Sequence, residues 1–246
     1  MIALLLVTLL ALALLFWRSG GAPVMSPEDA FSGNRDLVAL ASALKRGDLA
    51  LAGSLLDAGA DVNGRGRDGI TPLLFVVINN QMRVIPFLMR RGADATAEMR
   101  GIGSPLTLSA AVPGGKVLAL LLDGGVDVNR WSSAEEPPIF SAVRAGLLEN
   151  VDRLLAAGAD INVCDGVGDT ALTLSIDTGA FDLAMALLER GADPKASTLH
   201  PLLGIYDWQF QPGSEPDLKR AELIRAFAER GYTVPPSPPV TPPDYP

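Results

Sequence analysis

Apolar residues recur along this chain in short runs with helical spacing, and the runs are themselves evenly spaced. Val84, Ile85, Leu88 and Met89 form one; Val117, Leu118, Leu121 and Leu122 the next; then Val151, Leu154 and Leu155; then Leu183, Leu187 and Leu188. Positions three and four apart share one helix face, so each run predicts an amphipathic helix. A second apolar segment precedes each, opening on Thr71-Pro72-Leu73, Ser104-Pro105-Leu106, Pro137-Pro138-Ile139 or Thr170-Ala171-Leu172. A hydroxyl before proline suits a helix start: its oxygen caps orphan amides, and proline at the first position has no N–H to leave unpaired. The first segments end at Gly47, Asn80, Gly146 and Gly179, residue types that tolerate the left-handed backbone of a helix stop. Pro113-Gly114 departs from this register by one residue. The predicted unit is helix, tight turn, helix and returning loop. Pro86 falls in a second helix, where its first turn is the least costly place for a missing N–H, and a local irregularity is expected there.

The units keep a strict period. Gly59-Ala60-Asp61 returns as Gly92-Ala93-Asp94, Gly125-Val126-Asp127, Gly158-Ala159-Asp160 and Gly191-Ala192-Asp193, each step 33 residues. Such a period means stacked supersecondary units, each burying its apolar face on its neighbours. The Thr-Pro-Leu start, the turn glycine and the leucine pair before Gly-Ala-Asp-Val-Asn at 59–63 resemble the ankyrin repeat, over about Asp36 to Val234. The resemblance implies an all-α solenoid of about six helix-turn-helix units with hairpin loops. The family's usual histidine after Thr-Pro-Leu is replaced by Leu74, Thr107, Phe140 and Thr173. Its hydrogen bonds between loops are therefore missing, and looser hairpins on the same fold are expected.

The ends differ from the repeats. Residues 2–17 are apolar apart from Thr8, and Arg18 closes the run. Its length lies between a signal core and a spanning helix, so residues 1–18 read as an uncleaved membrane anchor or a cleaved signal, with the side of the membrane open. Residues 19–35 read as a linker, 36–234 as the repeat domain and 235–246 as a disordered Pro-rich tail. Within the domain, the first unit carries Arg35, Asp36, Lys45 and Arg46, as a polar N-terminal cap would. The sixth starts early, at His200-Pro201-Leu202. Tyr206 to Asp217 is an insertion whose aromatics form either a binding lip or a plug for the stack. A last helix, Leu218 to Arg230, caps the C-terminus with Leu223, Ile224 and Phe227 inward.

Composition narrows the function. A net charge of −8 argues against general nucleic-acid binding, which needs a basic surface. One cysteine and one histidine, Cys164 and His200, preclude a zinc cluster. As a Cys–His nucleophilic pair they would have no evident orienting partner, so an enzyme is the remote reading. No phosphate loop or dinucleotide fingerprint occurs, and neither cofactor nor small-molecule ligand is expected. The recurring aspartates hold one structural place and read as turn caps.

Function is sought where loop tips break the repeat. In register the tips read Arg65, Glu98, Trp131 and Cys164, flanked by Gly64, Ala97, Arg130, Val163 and by Arg67, Arg100, Ser133, Gly166. Arg65, Arg67, Arg100, Arg130 and Trp131 thus cluster over the first three tips. Arg and Trp are enriched at interface hot spots, and on an acidic chain they suggest a partner protein with an acidic surface. The sequence therefore reads as a membrane-tethered, non-catalytic interaction module that binds through loop tips and concave face, with regulation or neutralisation of an enzyme as one form. A structural scaffold without one specific partner is the rival.

Overall fold

A computed structural model of the 246-residue chain describes residues 25–134, 136–197, 204–206 and 208–233. The apolar run 2–17, the start at His200-Pro201-Leu202 and the tail 235–246 lie outside the described residues. The element order begins with a short helix α1 (Pro27–Ala30), followed by five helix pairs. These are α2 (Arg35–Arg46) with α3 (Leu49–Asp57), α4 (Pro72–Ile78) with α5 (Ile85–Arg90), and α6 (Pro105–Ala110) with α7 (Lys116–Asp123). Then come α8 (Pro138–Arg144) with α9 (Leu148–Ala156), and α10 (Ala171–Asp177) with α11 (Phe181–Glu189). A last helix, α12 (Glu215–Glu229), closes the stack. Among the described residues there is no strand, only a single bridge between Met99 and Gly103.

The start signals act as their chemistry dictates. The Thr71 hydroxyl accepts from the Leu74 amide at 3.2 Å. Ser104 with Thr107, and Thr170 with Thr173, form reciprocal capping boxes that satisfy two orphan donors at once. Pro137 offers no side-chain acceptor, and α8 starts without one. The place of the missing histidine is thus filled in two ways: threonine builds capping boxes in the third and fifth units, while Leu74 and Phe140 are fully buried in the second and fourth. The hairpins expected to be loose are each closed by a backbone bond: Gly66 to Ile70 at 2.8 Å, Met99 to Gly103 at 3.0 Å, Ser132 to Glu136 at 2.9 Å and Asp165 to Asp169 at 2.7 Å. Pro86 sits at the start of α5, after a 3-10 turn at Met82–Val84, which is the irregularity anticipated.

Helix ends follow one rule with one exception. The amides of Asp48, Gln81, Leu147 and Ala180 reach back to the carbonyls of Ala43, Val76, Ala142 and Ser175, around a residue with positive φ that includes Asn80 at 55°. These bonds satisfy carbonyls the helix leaves unpaired. In the third unit Pro113 stands at the positive-φ place, which its ring forbids. The left-handed step moves to Gly114 and Gly115. The side-chain amide of Asn150, from the next unit, reaches in to donate to the carbonyls of Ala110 (2.9 Å) and Val112 (2.8 Å) instead. Asn150 is 1% exposed and occupies the register of Val84, Val117 and Leu183, all core positions. A buried amide replaces an apolar side chain because the neighbouring helix end needs a donor.

The loops are tied by an asparagine ladder. Each repeating aspartate accepts from the amide two residues on: Asp61 from Asn63, Asp94 from Thr96, Asp127 from Asn129, Asp160 from Asn162 and Asp193 from Lys195. Asn63 then bridges to the next unit, accepting from the Asp94 amide (2.7 Å) and donating to the Gly92 carbonyl (2.9 Å). Asn129 repeats both bonds to Asp160 and Gly158, and Asn162 accepts from Asp193. Thr96 occupies the same rung but turns its hydroxyl back to Asp94, so the ladder has a gap between the second and third units. The core divides nearby. Val117 and Leu121 of α7 pack into the N-terminal cluster, whereas Leu106, Ala110 and Leu118 pack into the C-terminal one.

Both ends are packed. Residues 27–30, within the segment read as a linker, form α1, and Phe31 is fully buried against Phe75 with ring centroids 5.8 Å apart. The packed cap therefore begins before Asp36, because Phe31 supplies an apolar plug that a solvated linker would lack. At the other end α12 starts at Glu215 rather than Leu218. Leu223 and Phe227 are buried, and Ile224 is half-buried. Phe210 lies edge-on to Phe181 at 5.8 Å, Trp208 stacks on Phe210, and the Arg220 guanidinium covers the Phe210 ring. Trp208 and Phe210 of the insertion thus cover the turn of the fifth unit, the plug arrangement rather than a free lip.

Candidate partner-binding site

Four hairpin tips project from one edge of the stack, each held by its closing bond and its aspartate turn. Arg65, Arg67, Arg100, Arg130 and Trp131 are all exposed. Trp131 is 49% exposed, with no aromatic or cation–π partner among the described residues. The first three tips are laced together. Arg65 donates through Nη1 to the Glu98 carbonyl (3.0 Å), the Arg100 amide donates to the Asp68 carbonyl (2.8 Å), and the Ser133 amide donates to Glu98 Oε1 (2.7 Å). Glu98 therefore joins three successive tips, a role its place in the Arg65–Trp131 column did not reveal. Arg65 is in part structural, whereas Arg67, Arg100 and Arg130 make no side-chain hydrogen bond or ion pair among the described residues. Elsewhere Arg91, Arg144, Arg153, Arg190 and Arg220 pair with carboxylates, whereas Arg35, Arg46, Arg90 and Arg225 on the helices make no ion pair among the described residues.

Sequence reasoning missed two tip residues. Ile102 is 41% exposed and Val167 69% exposed. With Trp131 they place one large exposed apolar side chain on each of the second, third and fourth tips. The register carried only a weak signal: Gly69 and Gly168 share the place of Ile102, and Gly101 and Ala134 that of Val167, but Glu135 and Asp68 occupy the same columns. On the fourth tip Asp165 is engaged internally, accepting from the Val167 and Asp169 amides. The edge thus carries unpaired cations on tips one to three and apolar side chains on tips two to four.

Cys164 is half-buried and its thiol donates to the Ala196 carbonyl at 3.1 Å, a packing contact between loops. His200 lies outside the described residues. Among the described residues no helix is long and apolar enough to cross a membrane, and residues 2–17 are not among them.

Helix pairs stacked at a fixed 33-residue period, with hairpins laced along one edge, define a repeat solenoid, a class built for binding by extended preformed surfaces. Family models for ankyrin repeats match residues 40–89 and 106–198, together more than half of the chain. The chain belongs to the ankyrin repeat family, whose domains are in general protein–protein interaction modules without catalysis of their own. Among curated proteins it is similar to Protein PhlB of Serratia liquefaciens, 34% identical over 147 residues, covering 59% of this chain and 63% of that one. It is also similar to Ankyrin repeat domain-containing protein 37 of Xenopus tropicalis, 38% identical over 86 residues, 34% of this chain and 52% of that one. The chain thus spans less than two thirds of either relative. The crystal structure of the ankyrin repeat domain of Bcl-3 superposes with a TM-score of 0.66, covering 82% of this chain and 88% of that one at 22% identity, a likeness of fold.

Proposed function

We propose that this protein is a non-catalytic module that binds one partner protein through its hairpin tips and adjoining concave face, and that residues 2–17 hold it at a membrane. The observation that carries the reading is the tip edge: Arg67, Arg100 and Arg130 unpaired beside an exposed Trp131, on a chain with net charge −8. An acidic partner surface complements that edge and would be steered to it. The laced tips lose little conformational entropy on binding. A partner that is itself an enzyme, regulated or neutralised by this contact, is one form of the reading.

The test is quantitative affinity capture from the native host with a C-terminally tagged full chain, beside the variant Arg67→Glu/Arg100→Glu/Arg130→Glu/Trp131→Ala. One stoichiometric protein is expected with the native chain and not with the variant, whose circular dichroism should be unchanged. A partner retained by a folded variant refutes the tips as the site. For the tether, native membranes should keep the chain after alkaline carbonate washing; release would remove the anchor from the reading.

A further inference from the structure

The tips change character along the stack. Tips one to three carry Arg67, Arg100 and Arg130, unpaired among the described residues; tips two to four carry Ile102, Trp131 and Val167, each exposed. Acidic groups on this edge are partly committed inside it: Glu98 to the Ser133 amide and Asp165 to its own loop. The result is a graded strip, cationic at the N-terminal end and apolar at the other.

The geometry of stacking gives the strip a period. Packed helices lie about 8–10 Å apart, so successive tips are separated by about that distance. An extended polypeptide advances about 3.3 Å per residue, so every third residue of such a chain meets a new tip. Four tips then span about ten residues of extended chain. The lacing from Arg65 to Glu98 and from Glu98 to Ser133 holds tips one to three as one preformed surface.

We infer that the partner element read by this edge is a single extended segment, acidic where it crosses the first three tips and aromatic or aliphatic where it meets Trp131 and Val167. This rests on the tips being the partner surface, and it adds the sequence chemistry of what they bind. The arginines give attraction that salt screens; the apolar tips give burial that salt does not weaken.

The test pans a random twelve-residue phage peptide library on the immobilised full chain in detergent. Enriched peptides should place two or more Asp or Glu to one side of an aromatic or aliphatic residue. Their affinity should fall about tenfold or more in Arg67→Glu/Arg100→Glu/Arg130→Glu and weaken with added salt. Trp131→Ala should weaken them as well, without altering the salt dependence. Enriched peptides without an acidic bias, or binding indifferent to these substitutions, overturn the inference. So does the outcome in which the tips serve lipid: sedimentation with phosphatidylserine vesicles that is lost in the arginine variant, with no peptide selected. If host capture remains tip-dependent while the library yields no acidic segment, this inference fails and the partner-binding reading stands.

Discussion

Thr96 breaks the asparagine ladder, and Thr96→Asn should mend it. At the end of the first unit Asn63 makes two bonds to the following loop, at 2.7 and 2.9 Å, and at the end of the third Asn129 makes two to its own neighbour at 2.9 and 3.0 Å. At the intervening rung the Asp127 amide and the Gly125 carbonyl have no partner among the described residues. An asparagine at 96, in the backbone frame its neighbours share, would take both. These rungs are partly exposed, so each bond contributes about 0.5–1 kcal/mol net. The hydroxyl bond from Thr96 to Asp94 is lost, at about 0.5 kcal/mol. The balance is a stabilisation of about 0.5–1.5 kcal/mol, or about 1–6 °C in Tm for a domain of this size. Urea denaturation of the full chain in detergent measures the midpoint, and amide hydrogen exchange at Asp127 reads the new bond directly. The mirror variant Asn129→Thr should lose both bonds of its rung and lower the midpoint by a similar amount. If Thr96→Asn leaves both the midpoint and the Asp127 exchange rate unchanged, the ladder does not couple neighbouring units and the reasoning fails.

Three further outcomes follow from the same packing. Asn150→Ala strands the Ala110 and Val112 carbonyls and leaves a cavity; about 2–3 kcal/mol of destabilisation is expected in urea melts, and an unchanged midpoint refutes the capping role. Gly115→Ala should destabilise by about 1–3 kcal/mol, since its Cβ would lie 2.6 Å from both Asn150 Oδ1 and Arg153 Nε at a φ of +56°; equal stability would show that the pocket relaxes freely. Asp152 is held below the usual carboxylate range chiefly by its hydrogen bonds from Arg190. Its folded pKa is depressed, so its contribution is present above the unfolded value and disappears as pH falls through the folded one. The stability gap between the native chain and Asp152→Asn should therefore close on acidification below about pH 4, and a gap that persists there refutes the linkage.

Much of the fold was legible because its determinants are local. Thr71, Ser104 and Thr170 act on amides three residues away, and the turn residues Gly47, Asn80, Gly146 and Gly179 need only their own backbone. The aspartate turns are local too. What could not be read depends on neighbours a full period distant. Nothing adjacent to Asn150 in sequence says that Pro113 leaves two carbonyls open. Glu98 looked like one member of a column until Arg65 and Ser133 were placed on either side of it. Phe31 sat in a stretch whose composition reads as linker, and only the Phe75 ring explains it. At the tips, the arginines and Trp131 stood out by type, but Ile102 and Val167 did not, because exposure of an ordinary aliphatic residue is a tertiary fact.

Asn150 also bears on how an array of similar parts finds its order. Modules built to one pattern can pair with the wrong neighbour, a recurrent failure of repeat chains. Four of the five helix ends described by the pattern complete their own carbonyls, through Ala43, Val76, Ala142 and Ser175, and would receive any adjacent unit alike. The third offers two vacancies, and only the fourth unit brings the donor that fits them. Seated anywhere else, that amide would be buried without acceptors for its two hydrogens, a penalty of about 1–3 kcal/mol. The pair works as an address written into an otherwise repetitive text: it tells the fourth module which neighbour is its own.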